Sequence, residues 1–232
     1  MYFPTTFSEE SGRAEGALIE RFEAHIRDKA FPCVGAKSAL SRHQMQFFVA
    51  GDMRCPRDDV GLYESLRDFA RAFKDNSQPF QSFVALFQTA EVLDEDAFEQ
   101  AMWRRLQALE AIDAKRGEAY DSRVSADIDD PNFSLSFGGE AFFVVGLHPG
   151  ASRPARRFEL PALVFNPHDQ FETLRAEGRY EVLRDSIIER DVALAGTANP
   201  MLARHGEVSE ARQYSGRSVE DGWRCPMHRM HP

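Results

Sequence analysis

Hydrophobic and polar positions follow two different periods along this chain, one typical of helices and the other of strands. In three stretches the apolar residues recur every three or four positions, which predicts amphipathic helices with one buried face. These stretches cover residues 14–29, 62–73 and 94–117. Asp94 is expected to cap the third helix, because a carboxylate at that place accepts backbone N–H groups of the first turn.

Shorter apolar runs, bounded by turn residues, predict a β-sheet. The predicted strands are residues 44–50, 80–86, 133–137, 141–147 and 162–165. Gly138-Gly139 predicts a tight hairpin between the third and fourth strands, since glycine readily adopts the positive φ that such turns require.

Residues 171–194 return to a helical pattern, and residues 196–232 are expected to be mostly irregular. This mixture predicts an α+β protein, a single domain over residues 1–232 with a central, largely antiparallel sheet flanked by helices. Residues 1–13 and 227–232 are expected to be poorly ordered.

Composition and charge then narrow the functional classes. With 232 residues, of which 43% are hydrophobic, the chain can bury a substantial core. Its net charge of −9 argues against nucleic acid or an anionic membrane as a partner, because no broad basic surface is available. The beginning of the chain lacks a signal-peptide pattern, and no apolar run is long enough to span a bilayer. Three cysteines without a CxxC pair fit a reducing compartment, so the cytoplasm is the expected location.

Two histidines and three arginines form the most informative segment. His148 follows one predicted strand and His168 follows the next, and Arg153, Arg156 and Arg157 lie between them. A neutral imidazole can ligate haem iron or a non-haem metal, and arginine binds carboxylates such as haem propionates in a bidentate manner. The segment therefore predicts a metal or haem site beside an anion site. Ordinary strand ends and surface ion pairs remain the alternatives.

Several other residues are weaker candidates. Asp169 and Glu172 follow His168, but their spacing matches no strong zinc or facial-triad pattern. Cys33 precedes small residues that would allow close backbone approach to a ligand, and Lys37 would add a positive charge there.

The C-terminal region offers further candidates. Tyr214 is a candidate to close a pocket, with an ordinary surface loop as the alternative. Cys225 precedes a proline and could act as a thiolate ligand or as a simply packed thiol. His228 and His231 are assigned to a disordered end.

Taken together, these motifs resemble the YqcI/YcgG family, including relatives described as haem-dependent N-hydroxylases of guanidino compounds. The resemblance covers most of the chain. The matching elements are Phe-Pro-Cys33-Val-Gly-Ala-Lys37, Gly146-Leu-His148-Pro-Gly-Ala-Ser-Arg153, Phe165-Asn166-Pro-His168-Asp-Gln-Phe171-Glu172, Asn199-Pro-Met, Ser209-Glu-Ala-Arg212-Gln-Tyr214-Ser-Gly-Arg217 and Trp223-Arg-Cys225-Pro. The resemblance implies a small protein with haem b that inserts oxygen into a nitrogen of a guanidine or related amine.

Under this resemblance, His148 is the first choice for the axial iron ligand, with Cys225 and His168 as alternatives. The cofactor-binding set is His148, Arg153, Arg156, Arg157, Cys33, Lys37 and His168, with the arginines placed on the propionates. His168 is expected to be part of the pocket wall.

On the substrate side, Glu172 or Asp169 would pair with a cationic guanidinium, and Tyr214 and Asn166 would donate hydrogen bonds to oxygen bound at the iron. Electrons would come from an external donor, or peroxide would be used directly, and a homodimer is possible. Two alternatives stay open: a haem-binding or gas-sensing module without turnover, and a non-haem iron enzyme using His148 and His168.

Overall fold

Two helices open the described part of the chain. The computed structural model describes residues 6–227, with side chains from residue 12 onward. The first helix, α1 (Thr6–Arg27), begins earlier than the pattern predicts. A short helix that was not predicted, α2 (Val34–Ser41), follows it. Cys33 caps its beginning, and the Cys33 sulfur accepts the Ala36 N–H at 3.4 Å.

The segments predicted to be poorly ordered fall partly outside this range. Residues 1–5 and 228–232 are not among the described residues, and the latter include His228 and His231. Residues 6–13 belong to α1.

Within the described residues the sheet has five strands. They are β1 (Met45–Ala50), β2 (Ser82–Phe87), β3 (Leu135–Phe137), β4 (Glu140–Leu147) and β5 (Ala162–Pro167). Their spatial order is β1-β2-β5-β4-β3, with β1 and β2 parallel and the other neighbouring pairs antiparallel. Gly138 and Gly139, with φ of 58° and 73°, make the predicted hairpin between β3 and β4. The α+β class and the largely antiparallel sheet are therefore confirmed.

The remaining helices cover the sheet. They are α3 (Asp59–Asp75), α4 (Glu95–Arg116), α5 (Asp169–Ala176), α6 (Tyr180–Ala195) and α7 (Ala211–Tyr214). The Asp94 side chain accepts the Ala97 N–H at 2.8 Å, which confirms the predicted cap of α4. The helix predicted for residues 171–194 is divided into α5 and α6, because the chain passes through Gly178 with φ of 68°.

Both faces of the sheet are buried, and a hydrophobic core lies on each face. Successive side chains of a strand point to opposite faces, so they enter the two cores alternately. Phe142 and Val144 of β4 pack with α3 and α4 in one core. Val145 and Leu147 of the same strand pack on the opposite face, in the core that includes α1. Within the described residues, no helix is both long enough and apolar enough to cross a membrane.

Candidate functional site

An apolar cavity of about 280 Å³ lies on the α1 face of the sheet, just below the range of roughly 300–1,000 Å³ that is common for small-molecule sites. Its walls come from the sheet and from α1, α2, α5 and α6. The apolar lining includes Phe22, Phe31, Phe80, Val145, Leu147 and Phe171. The polar lining includes Cys33, Arg153, Arg156, Asn166, Gln170 and Asp191. Such a hollow suits a largely apolar ligand with a few oriented polar contacts.

Cys33 lies in the wall of this cavity as a free thiol at the beginning of α2. Burial is the largest influence and raises the pKa of the Cys33 thiol. The backbone N–H groups of Ala36 and Gly35 and the charge of Arg156 act in the opposite direction without reversing the shift. The thiol is therefore protonated at neutral pH, but donors that stabilise a thiolate are already in place.

The arginine cluster binds groups of the chain itself. Arg153 pairs with Asp191, with Nε 3.0 Å from Oδ2. Arg156 donates to the carbonyl oxygens of Gly146 and Gln213, each at 3.1 Å. These two arginines line the cavity, and they tie the loop after β4 to α6 and α7.

Arg157 is exposed and does not line the cavity, and it donates to the Ala151 carbonyl at 2.7 Å. The expected propionate-binding set of three arginines is thus reduced to two that face the cavity, and both already have partners.

His148 lies on the other face of the sheet. Its ring stacks on Phe98 of α4 with centroids 4.1 Å apart, and Nδ1 is 3.4 Å from the Leu93 carbonyl. Burial lowers the pKa of His148, so the imidazole is neutral. The cause of this placement is strand alternation: Leu147 faces the cavity, and the next side chain points away from it. The structure does not bring His148 to the cavity, which argues against it as the axial ligand.

The residues expected to recognise substrate are also dispersed. Glu172 is exposed and pairs with Arg175, and Asp169 pairs with Arg123 at 2.6 Å. Neither carboxylate lines the apolar cavity. Asn166 does line it, and its Oδ1 accepts the Ser82 hydroxyl at 2.8 Å.

Tyr214, Lys37 and Cys225 also lie outside the lining of the apolar cavity. Tyr214 is fully buried against Trp103, with ring centroids 5.8 Å apart. Lys37 donates to the Asp28 carbonyl at 2.6 Å. Burial raises the pKa of Cys225 to about 12, which is typical of a packed thiol.

A second cavity of about 210 Å³ adjoins the first and contains three potential metal ligands: His168, His205 and Glu210. Glu210 Oε1 is 3.2 Å from His168 Nε2 and 3.0 Å from His205 Nδ1. Burial is the largest influence on Glu210 and would raise its pKa, but hydrogen bonds from both histidines outweigh burial and lower the pKa to about 2. The side chains that line both cavities are Phe143, Phe171, Leu183, Ile187 and Leu202.

A family model, that of the YqcI/YcgG family, matches residues 22–228 of the sequence. The chain belongs to the YqcI/YcgG family. Searches of curated proteins and of solved structures found no match. The matched range contains the residues named above for both cavities of this YqcI/YcgG protein, so the family assignment covers the whole candidate site.

Sequence reasoning about this YqcI/YcgG protein missed Asp191 and Gln170. Asp191 continues the row of Leu183 and Ile187 at intervals of four residues, so an acidic side chain on the apolar face of a helix was an available signal. Gln170 donates from Nε2 to the Gln81 carbonyl at 3.2 Å, and its buried Oε1 has no hydrogen-bond partner among the described residues.

Proposed function

We propose that this YqcI/YcgG protein is a haem-dependent N-oxygenase that acts on a guanidino compound or related amine, with the haem in the apolar cavity. The observation that carries the proposal is the Cys33 sulfur in an apolar wall at the beginning of α2. Apolar side chains suit a porphyrin face, and a cysteine sulfur is a known ligand of haem iron. Cys33 takes the place of His148 in this assignment because it lines the cavity.

Ligation by Cys33 requires loss of the thiol proton, since metals bind the thiolate. Two features of the chain would stabilise the thiolate: the Ala36 N–H directed at the sulfur and the positive end of the α2 dipole. The half-buried Arg156 adds positive charge nearby; loss of hydration lowers the pKa of its guanidinium to about 10, so it stays protonated at neutral pH. A thiolate ligand donates charge that favours O–O cleavage, which is the chemistry a bound haem would supply.

Asp191 and Gln170 are the groups that fit an amine or guanidine substrate. Asp191 is buried and is the acidic side chain of the cavity lining, although Arg153 already pairs with it. Gln170 lines the cavity, and its buried Oε1 has no hydrogen-bond partner among the described residues, so this proposal assigns it as the acceptor for a substrate N–H group. In this proposal the two residues orient the nitrogen, and the apolar walls exclude water from it. They take the role that the sequence had suggested for Glu172 and Asp169.

The electron source in this proposal is an external donor or peroxide. A cytoplasmic location belongs to the same proposal, because Cys33, Cys55 and Cys225 are all free thiols, as a reducing compartment requires. A non-haem iron site made of His148 and His168 has no support from the geometry, since these residues follow the ends of antiparallel neighbours.

The test is the spectrum of the reduced protein with CO after expression with haem supplied. We expect stoichiometric haem and the red-shifted Soret band of thiolate ligation in the wild type. Cys33→Ser should lose that band, and Cys225→Ser, the matched control, should keep it. Absence of stoichiometric haem would overturn the cofactor, and a thiolate band that survives Cys33→Ser would overturn the ligand.

Turnover separates an oxygenase from a gas-sensing module. The haem-loaded protein is incubated with arginine, agmatine or simple amines, with reductant and oxygen or with peroxide. Mass spectrometry should detect a product heavier by one oxygen atom. Haem binding without any such product would favour the sensor.

A further inference from the structure

Three potential ligand atoms in the second cavity converge on one point. They are His168 Nε2, His205 Nδ1 and Glu210 Oε1, and all lie within 4.8 Å of one another. His168 follows the end of β5, whereas the other two come from the segment between α6 and α7. Segments far apart in the chain thus deliver two imidazoles to a single carboxylate oxygen.

The spacing of these atoms matches the edges of a metal coordination polyhedron. Ligands about 2.1 Å from a metal ion are separated by about 3.4 Å in a tetrahedral site and by about 3.0 Å in an octahedral one. The two measured N···O separations are 3.2 and 3.0 Å. A metal ion can therefore enter with little movement of the side chains, replacing the imidazole N–H protons as donors to Glu210.

The second oxygen of Glu210 is held by groups that do not face the histidines. Oε2 accepts the Ser134 hydroxyl at 2.7 Å and the Tyr214 hydroxyl at 3.3 Å. Hydrogen bonds from outside the coordination sphere orient a ligating carboxylate and are typical of metal sites. Tyr214 thus gains a role here as a residue that positions Glu210.

We infer that His168, His205 and Glu210 form a binding site for a divalent transition metal, in the cavity that adjoins the proposed haem cavity. Two histidines and one carboxylate leave coordination positions open, as in catalytic zinc sites and non-haem iron enzymes. All three ligands line the 210 Å³ cavity, which gives those positions room for water or a small ligand. The inference does not rest on the haem proposal, since none of the three ligands lines the haem cavity.

The test is isothermal titration of the chelator-treated protein with Zn²⁺, together with elemental analysis after dialysis. We expect one equivalent of zinc in the wild type. His205→Ala should weaken binding by at least about tenfold. His205 is the least buried of the three ligands, so this variant is the one best placed to fold normally.

Two control variants make the result specific. His43→Asn removes an exposed histidine and should bind zinc as the wild type does; asparagine tolerates the positive φ of 55° at that position. Cys33→Ser should also bind one equivalent of zinc. Loss of zinc binding in Cys33→Ser would mean that the Cys33 thiol is a zinc ligand. The inference is overturned by that loss, by no binding in the wild type, or by unchanged binding in His205→Ala. Haem spectra recorded on the same samples report separately on the haem proposal.

Discussion

His148 and His168 look alike in the sequence, because each follows the end of a predicted strand. In the structure their surroundings differ. His148 is stacked on Phe98 and has one long contact to a backbone carbonyl. His168 faces Glu210 at 3.2 Å, with the His205 ring centroid 4.3 Å away. One histidine completes a core, and the other belongs to a polar cluster with a cavity beside it.

The direction of the strands explains why the two histidines never meet. In the register of β4 and β5, Leu147 pairs with Ala162, and Phe142 pairs with Pro167. The C-terminal ends of these two antiparallel strands therefore lie at opposite ends of the sheet. Five residue steps separate them, which is roughly 17 Å. The sequence shows that a histidine follows a strand, but it does not show which residues lie near that histidine. The direction and register of strand pairing determine those neighbours.

Among the substitutions that test this comparison, removal of Glu210 should lower the free energy of unfolding the most. Glu210→Ala leaves the facing donors of Ser134, His168 and His205 without their buried acceptor. We expect the free energy of unfolding to fall by about 3–5 kcal/mol, measured by urea denaturation in the presence of chelator. The Glu210→Gln variant should lose less, because one amide oxygen still accepts hydrogen bonds. A loss below about 1 kcal/mol in Glu210→Ala would mean that the cluster is not an organised network.

The fold was largely predictable, because its signals are local. Alternation and helical spacing identified all five strands and most helices. The α2 helix was not predicted because Pro32 just before it and Gly35 in its first turn resemble a turn, so the position of Cys33 at a helix start was not visible.

The candidate site was less predictable, because it depends on contacts between distant segments. Cys33 was named from its motif, but no pattern shows that it shares a cavity with Asp191, 158 positions along. Likewise, His205 and Glu210 lie in a segment without periodicity, and only the folded chain brings them to His168.

Substitution of His148 should have an intermediate effect. His148→Ala removes a ring from a packed core and should lower the free energy of unfolding by about 2 kcal/mol. His148→Phe keeps an aromatic ring of similar size against Phe98 and should change it by less than about 1 kcal/mol. Both variants should keep wild-type haem content and zinc binding. Loss of haem ligation in His148→Phe, with the fold intact by circular dichroism, would restore His148 as the ligand.

The smallest expected effect is on the pH dependence of stability. Burial lowers the pKa of His148 in the folded state, so the unfolded chain binds its proton more readily. Stability from this residue is complete well above the ordinary histidine pKa of about 6.5 and is lost as the pH falls below it. Glu95 and Asp94 attract the imidazolium and reduce the loss, whereas Arg156 repels it.

His148→Phe has no proton to bind, so its stability should fall less steeply than that of the wild type between neutral pH and about pH 5. Glu210 behaves differently: its pKa of about 2 means that its contribution is lost only as the pH falls below about 4.5 toward 2. Urea midpoints measured for both proteins from neutral pH down to about pH 3 separate the pH region of His148 from that of Glu210. Parallel curves for wild type and His148→Phe would show that His148 can be protonated in the folded protein without loss of stability.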